Sequence, residues 1–209
     1  MKIREPIIKK DALEHKSIDI GKEIIIDETK VVNLILDERQ IEEFNIKESQ
    51  VEDLSLMSGR IDELKIIDSV FNKLNLVGTN IDKTYFERVE ISQSRLQGTQ
   101  LMDANIKDVV VEKSKCVSIS LRYSKIEDSV FKECDLSDSD FLGSELKNIS
   151  FINCNLRGSQ FSQSKLKNVK FGGSDIENIK IDKDSFEEVT VDTKQALYLA
   201  SVFGLTIED

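Results

Sequence analysis

Every fifth residue of this chain is apolar over most of its length. Between Phe131 and Phe171 the series reads Phe131, Leu136, Phe141, Leu146, Phe151, Leu156, Phe161, Leu166 and Phe171. The same step runs back to Ile26 and on to Val191, with the thiol of Cys116 its one polar member. Helical side chains recur about every 3.6 residues and strand side chains every 2, so neither accounts for a step of five. An unbroken short period of this kind predicts a repeat architecture.

Two residues before each large apolar position sits a smaller or apolar one, as in Ser124, Ser129, Cys134, Ser139, Ser144, Ile149, Cys154, Ser159, Ser164, Val169, Ser174 and Ile179. The other three places of each quintet are polar, charged or Gly. Ser139-Asp140-Phe141-Leu142-Gly143, Cys154-Asn155-Leu156-Arg157-Gly158 and Ser174-Asp175-Ile176-Glu177-Asn178 resemble the quintets of the pentapeptide-repeat family, and the resemblance extends from Ile24 to about Val191. It implies an all-β solenoid, a right-handed quadrilateral parallel β-helix with four quintets per coil and the large residue pointing inward.

A four-sided coil makes residues twenty apart stack, and the sequence carries that longer period. One inward series reads Leu36, Leu56, Leu76, Leu96, Cys116, Leu136, Leu156, Ile176; another is Ile26, Ile46, Ile66, Phe86, Ile106, Ile126, Leu146, Leu166, Phe186. Early coils put Leu34, Phe44, Leu54, Leu64 and Leu74 at the minor position over modest major residues. Later coils set Ser or Cys beside five phenylalanines. A core packed at crystal-like density requires this exchange of volume, so the bore is expected to be solid. At roughly 4.8 Å per rung, about eight and a half coils give a rod on the order of 40 Å long.

Three segments follow. Residues 1–23 lack the period and contain the single proline, Pro6, with Ile7, Ile8, Leu13 and Ile18 among charges; they are expected to cap the first coil, as a short strand laid on it. Residues 24–191 are the β-helix. Residues 192–209 switch to helical spacing: Asp192 is placed to cap a short C-terminal α-helix with Gln195 three residues later, and Gly204 to stop it. Ala196, Leu199, Ala200 and Phe203 line one side of that helix, and Leu197, Tyr198 and Val202 spread round the rest. A helix apolar nearly all round is buried on more than one face. One face is expected to close the last coil and the other to meet the same helix of a second chain. Leu197, Tyr198, Ala200, Ser201, Phe203 and Leu205 are the expected homodimer interface, as implied also by resemblance to the C-terminal helix and tail of Qnr-type quinolone-resistance proteins.

Catalytic chemistry is not visible. His15 is the one histidine, and no nucleophile, metal or acid–base constellation can be assembled around it. Gly78, Gly98, Gly143, Gly158 and Gly173 fall at the last place of a quintet, where corner turns need them, and not in a phosphate loop. Asp138 and Asp140 occupy routine outward places. No enzyme activity, cofactor or metal is expected. Cys134 and Cys154 lie twenty apart; the spacing allows a disulfide in an oxidising compartment, while a reducing one leaves small buried thiols. No secretory or membrane-spanning apolar stretch is present, which points to a cytoplasmic chain.

Charge is the remaining signal. The formal net charge is −10 at pH 7, and acids outnumber bases chiefly in residues 27–68 and from 181 onward. Stacking would align Glu42, Asp62 and Asp82; Glu43 and Glu63; and Glu28, Glu48 and Asp68. With Glu187, Glu188 and Asp192, these form a candidate acidic partner-binding surface. The middle coils carry bases, but acids intersperse them and aromatics are scarce, so no direct nucleic-acid groove is expected. The family resemblance implies a protein-binding rod that mimics duplex DNA and engages DNA gyrase or topoisomerase IV. A scaffold or regulatory protein with an unrelated protein partner is the alternative, and solvation of the rod is a third use of the same charges.

Overall fold

The structure is a computed structural model that describes residues 3–8 and 18–208. Strands β1 (Glu23–Asp27), β2 (Lys30–Ile35), β3 (Gln40–Lys47), β4 (Gln50–Ser55), β5 (Arg60–Asn72), β6 (Asn80–Ser92), β7 (Asn105–Glu112), β8 (Lys125–Lys132), β9 (Glu145–Ile152), β10 (Lys165–Lys170) and β11 (Phe186–Glu187) wind as a parallel solenoid of about eight turns, closed by one helix, α1 (Thr193–Val202). Every strand pair is parallel and every register is offset by twenty residues, as in Ile26 opposite Ile46, Ile66 opposite Phe86 and Phe131 opposite Phe151. The repeat read from the inward column is therefore the helical repeat of the coil.

Every fifth residue from Ile26 to Ile181 is buried, and the column loosens only at Phe186 and Val191, which are half-buried beside the helix. Side chains fill the bore. In the later coils Phe131, Phe151 and Phe171 stack at 5.3 Å centroid spacing, Phe141 and Phe161 stack at 4.6 Å, and the two stacks meet edge to face. Offset-stacked and edge-to-face arrangements are the ones that favour aromatic quadrupoles.

Corners recur at the last place of the quintet, where the backbone enters the left-handed region at φ near +50 to +80°. In the later coils these turns close with hydrogen bonds such as Ser139 N–H to Leu136 O and Ser159 N–H to Leu156 O, the pattern of a type II turn, which demands positive φ at its third residue. Gly143 and Gly158 are needed for a second reason. A Cβ at Gly143 would stand 2.7 Å from the Tyr123 ring, and one at Gly158 would run into a carboxylate oxygen of Asp138. On one side of the early coils, at Glu43, Glu63 and Lys83, the left-handed corner is missing, and β3, β5 and β6 run straight through to the minor residues Phe44, Leu64 and Thr84.

Small minor residues do more than leave room. Ser139, Ser144, Ser159 and Ser164 each donate a hydroxyl to the carbonyl 23 residues earlier, at 2.6–3.1 Å. Cys134 and Cys154 take the same place in the ladder, with Sγ 3.4 Å from Val111 O and 3.3 Å from Phe131 O. The three thiols are buried and unbridged. Hydrogen bonding to Cys134 and burial push the Cys116 thiol well above its usual range.

Both ends depart from expectation in part. Residues 3–8 form no strand on the first coil. They lie lengthwise along a corner of the rod, with Ile7 N–H on Asp68 and Arg4 N–H on Asp108, two coils further along. Leu13 and His15, placed in the expected cap, lie outside the described residues, while Ile18 packs against the core. At the other end the capping box between Asp192 and Gln195 forms as the sequence suggests, and Gly204 follows at φ +83° with the Leu205 N–H returning to Ala200 O. The face turned to the last coil differs from the expected one. Gln195 and Leu199 are buried there, whereas Ala196 is exposed and Phe203 keeps 37% of its surface. A polar residue fits because the Gln195 side-chain amide donates, at 2.7 Å each, to the Ser174 carbonyl and to that of Phe171, which also accepts the Ser174 N–H of the corner turn.

Candidate interaction surfaces

The acidic columns stand where the twenty-residue step puts them. Glu23, Glu43 and Glu63 face one another on β1, β3 and β5, and Lys83 follows on β6. Like charges in register on neighbouring strands disfavour the pairing slightly, by roughly 0.2–1 kcal/mol each.

Most of the candidate acids, however, already have partners. Lys22 bridges to Glu42, Arg60 to both Asp62 and Asp82, Lys83 to Glu63 at 3.9 Å, Lys47 to Glu48 and Lys167 to Glu187. Asp192 is committed to the helix cap and also accepts Gly173 N–H at 3.1 Å, and these backbone donors hold its carboxyl below the usual range. Glu28, Glu43 and Glu188 are the exposed candidates with no ion pair among the described residues. Several of these pairs join residues twenty apart, so the sequence did hold the signal for them: opposite charges at the coil repeat. Counting acids by segment misses it.

Asp68 differs from the rest because it is only 5% exposed. The Arg88 guanidinium grips it through two hydrogen bonds, of 2.6 and 2.7 Å, and Ile7 N–H adds a third at 2.9 Å. Burial works against its charge, but these donors outweigh it and hold the carboxyl below its ordinary value. Next to it, Glu87 accepts the Tyr85 hydroxyl at 2.7 Å and pairs with Arg88. The Tyr85 hydroxyl, with help from Arg88, lowers the Glu87 carboxyl despite its partial burial. The same column continues through Asp128, Asn148 and Asn168, linked by amide donors at 2.7 and 2.8 Å.

The second candidate surface is apolar. Leu197 is 50% exposed and Leu205 64%; Val202 and Ile207, which lie outside the expected interface set, are 44% and 49% exposed. Phe203 leans edge-on against Phe186 at 5.9 Å. Tyr198 is half-buried and accepts Asn178 N–H at 2.6 Å, so its hydroxyl fastens the helix to the coil beneath. Ala200 is half-buried and Ser201 is exposed, with its hydroxyl on Tyr198 O. A cleft of about 590 Å³ opens between the helix and the last coil, lined by Asp175, Glu177, Lys194 and Tyr198 among others.

No catalytic grouping emerges among the described residues. Among the described residues no cluster of three or more His, Cys, Asp or Glu side chains could hold a metal ion, Asp140 pairs with Arg122 at 3.0 Å, and His15 lies outside what is described. No helix among the described residues is long and apolar enough to cross a membrane.

Residues 115–181 match the family described as Pentapeptide repeat region. No curated protein matches the chain. Among solved structures, the chain is similar to a trypsin-treated variant of QnrB1, a plasmid-mediated fluoroquinolone resistance protein. The two are 14% identical, with 86% of this chain and all of that one covered, at a TM-score of 0.49. It is also similar to HetL, a pentapeptide repeat protein involved in heterocyst differentiation regulation from the cyanobacterium Nostoc sp. strain PCC 7120. There identity is 10%, with 79% and 86% of the two chains covered, at a TM-score of 0.33.

Proposed function

Because the chain carries a pentapeptide-repeat region and its bore is filled by its own side chains, we propose that it works as a non-catalytic rod that binds other proteins with its walls. The partner it suits best handles DNA: a type II topoisomerase, DNA gyrase or topoisomerase IV, meeting acidic columns in place of a phosphate backbone. The observation that supports this reading is the in-register line of Glu23, Glu43 and Glu63, carboxylates repeated at the rung spacing on a straight wall. A second copy covers Leu197, Phe203 and Leu205 at the helix end, which lengthens the rod about a twofold axis.

The test is supercoiling by purified gyrase in the presence of this protein. Dose-dependent inhibition that is lost in a Glu43→Lys, Glu63→Lys double variant supports DNA mimicry; inhibition that survives both reversals, or none at any concentration, overturns it. Asp192 is unsuitable for such a reversal because it caps the helix. The interposed bases Lys22, Arg60 and Lys167, which neutralise much of the acidic surface, favour a second reading: a scaffold that recognises an unrelated protein by wall shape. Solution mass separates the assembly question from both, since Leu197→Asp is expected to convert a dimer to monomers.

A further inference from the structure

Asp108 is 3% exposed, yet every hydrogen bond it accepts among the described residues comes from one remote segment. Arg4 supplies them all: its backbone N–H at 3.1 Å, its Nε at 2.8 Å and its Nη2 at 2.6 Å. Nη2 also reaches Glu87 at 3.3 Å. Two coils away Asp68 accepts the N–H of Ile7. The corner thus holds carboxylates at two rungs whose partners are consecutive features of an extended chain laid across the coils.

The spacings agree. Two rungs at about 4.8 Å separate Asp68 from Asp108 by roughly 9.6 Å, and three residues of extended or polyproline-type chain advance about 9.3–10 Å. An N–H three residues on therefore arrives at the second carboxylate. Half-buried Ile3 and Pro6 repeat at the same interval, while Glu5 and Ile7 are exposed. Pro6 suits its place: it lacks a donor where none is used, and it holds Glu5 in the extended region.

The seat is not sealed. Ile7 is 65% exposed, half of the Arg4 side chain is in solvent, and a cleft of about 400 Å³ lined by Ile3, Arg4, Glu5, Ile7 and Arg88 stays open beside the segment. Its apolar residues Ile3, Pro6 and Ile8 are only half-buried, and the specific contacts that seat it are hydrogen bonds to carboxylates, which a competing chain could reproduce.

We propose that the corner formed by Asp68, Glu87, Arg88 and Asp108 is a recognition track for an extended segment of the pattern apolar-Arg-x-Pro or apolar-Arg-x-apolar, occupied in the resting protein by residues 3–8. A partner bearing such a segment enters by displacing the chain's own strap. This stands apart from the acidic-column reading, because the track lies at a corner where the acids are paired or covered, and a negative gyrase result leaves it untouched.

The test uses the full chain and the blocked hexapeptide Ile-Arg-Glu-Pro-Ile-Ile, which carries no net charge and so gains nothing from the protein's overall −10. Tethering gives the native strap an effective concentration on the order of millimolar. Wild-type protein is therefore expected to bind the peptide weakly, and full-length Arg4→Ala to bind it at least tenfold more tightly, with NMR shifts at Asp68, Arg88 and Asp108. Adding Asp108→Asn to Arg4→Ala is expected to remove that gain, and a scrambled peptide to show none. Equal binding of the two peptides, or no shifts in Arg4→Ala at several millimolar peptide, would overturn the proposal. Hydrogen exchange on the wild-type chain gives an independent check: unprotected amides at Arg4 and Ile7 would overturn it as well.

Discussion

The early and late coils fill one bore in two ways. Around β3 to β6 the volume comes from paired apolar residues, Phe44, Leu54, Leu64 and Leu74 at the minor position with Ile, Val and Leu at the major one, and strands reach thirteen residues. From β8 onward it comes from stacked phenylalanines, with hydroxyls and thiols bonding the rung below and tight corners on every side. The outer corner column changes as well, from Asp68, Arg88 and Asp108 to an amide ladder at Asn148 and Asn168. One repeat length therefore fixes the path of the backbone but not the chemistry that fills it; what stays constant from rung to rung is the twenty-residue register.

The largest test removes the middle ring of one aromatic stack, which also meets both rings of the other edge to face. Phe151→Ala is expected to cost about 3–5 kcal/mol by urea unfolding, against about 2–5 for Leu64→Ala in the early coils. A Phe151 loss no greater than that of a surface substitution would break the claim that stacking fills the late bore. Ser159→Ala deletes one rung-to-rung hydroxyl bond of 2.9 Å and is expected to cost about 1 kcal/mol. Cys154→Ser keeps the donor to Phe131 O and should sit near neutral, so a loss as large as that of Ser159→Ala would separate the thiol from the hydroxyl role.

The smallest effect concerns acid. Asp68 has a folded-state pKa below its ordinary 3.8, so its contribution is complete above that value and disappears as pH falls through the lowered one. Carboxyl NMR is expected to show Asp68 still ionised near pH 3.8, with the Ile7 amide losing protection only below it. The Asn148–Asn168 stretch of the same column has no group that titrates there. An Asp68 midpoint at or above 3.8 would remove this difference between the two halves.

Most of the fold was legible in the sequence because a parallel coil repeats the same environment at a fixed interval, and periodicity is what a sequence displays best. Leu136 over Leu156 and the glycine corners both follow from position alone. The candidate surfaces were less legible. Pairing of Lys22 with Glu42 or Lys167 with Glu187 needed the twenty-residue step applied to outward charges as well as inward apolar groups. The buried role of Gln195 was hidden because helical spacing sorts residues by hydrophobicity, and the coil end asked for an amide donor. The strap was invisible for a different reason. Ile3 to Ile8 share no period with the rod, and their seats lie 61 and 104 residues away.

That last separation sets an order of events during synthesis. Arg4 leaves the ribosome long before Asp108 exists, and at roughly 5–20 residues per second the wait lasts on the order of 5–20 s. Coils can wind as they emerge, each on the one before, but Ile7 has no seat until Asp68 is made, and Arg4 has none until half the molecule has been made. Their docking is thus a late clasp on a structure already formed, so its loss should leave the winding itself intact.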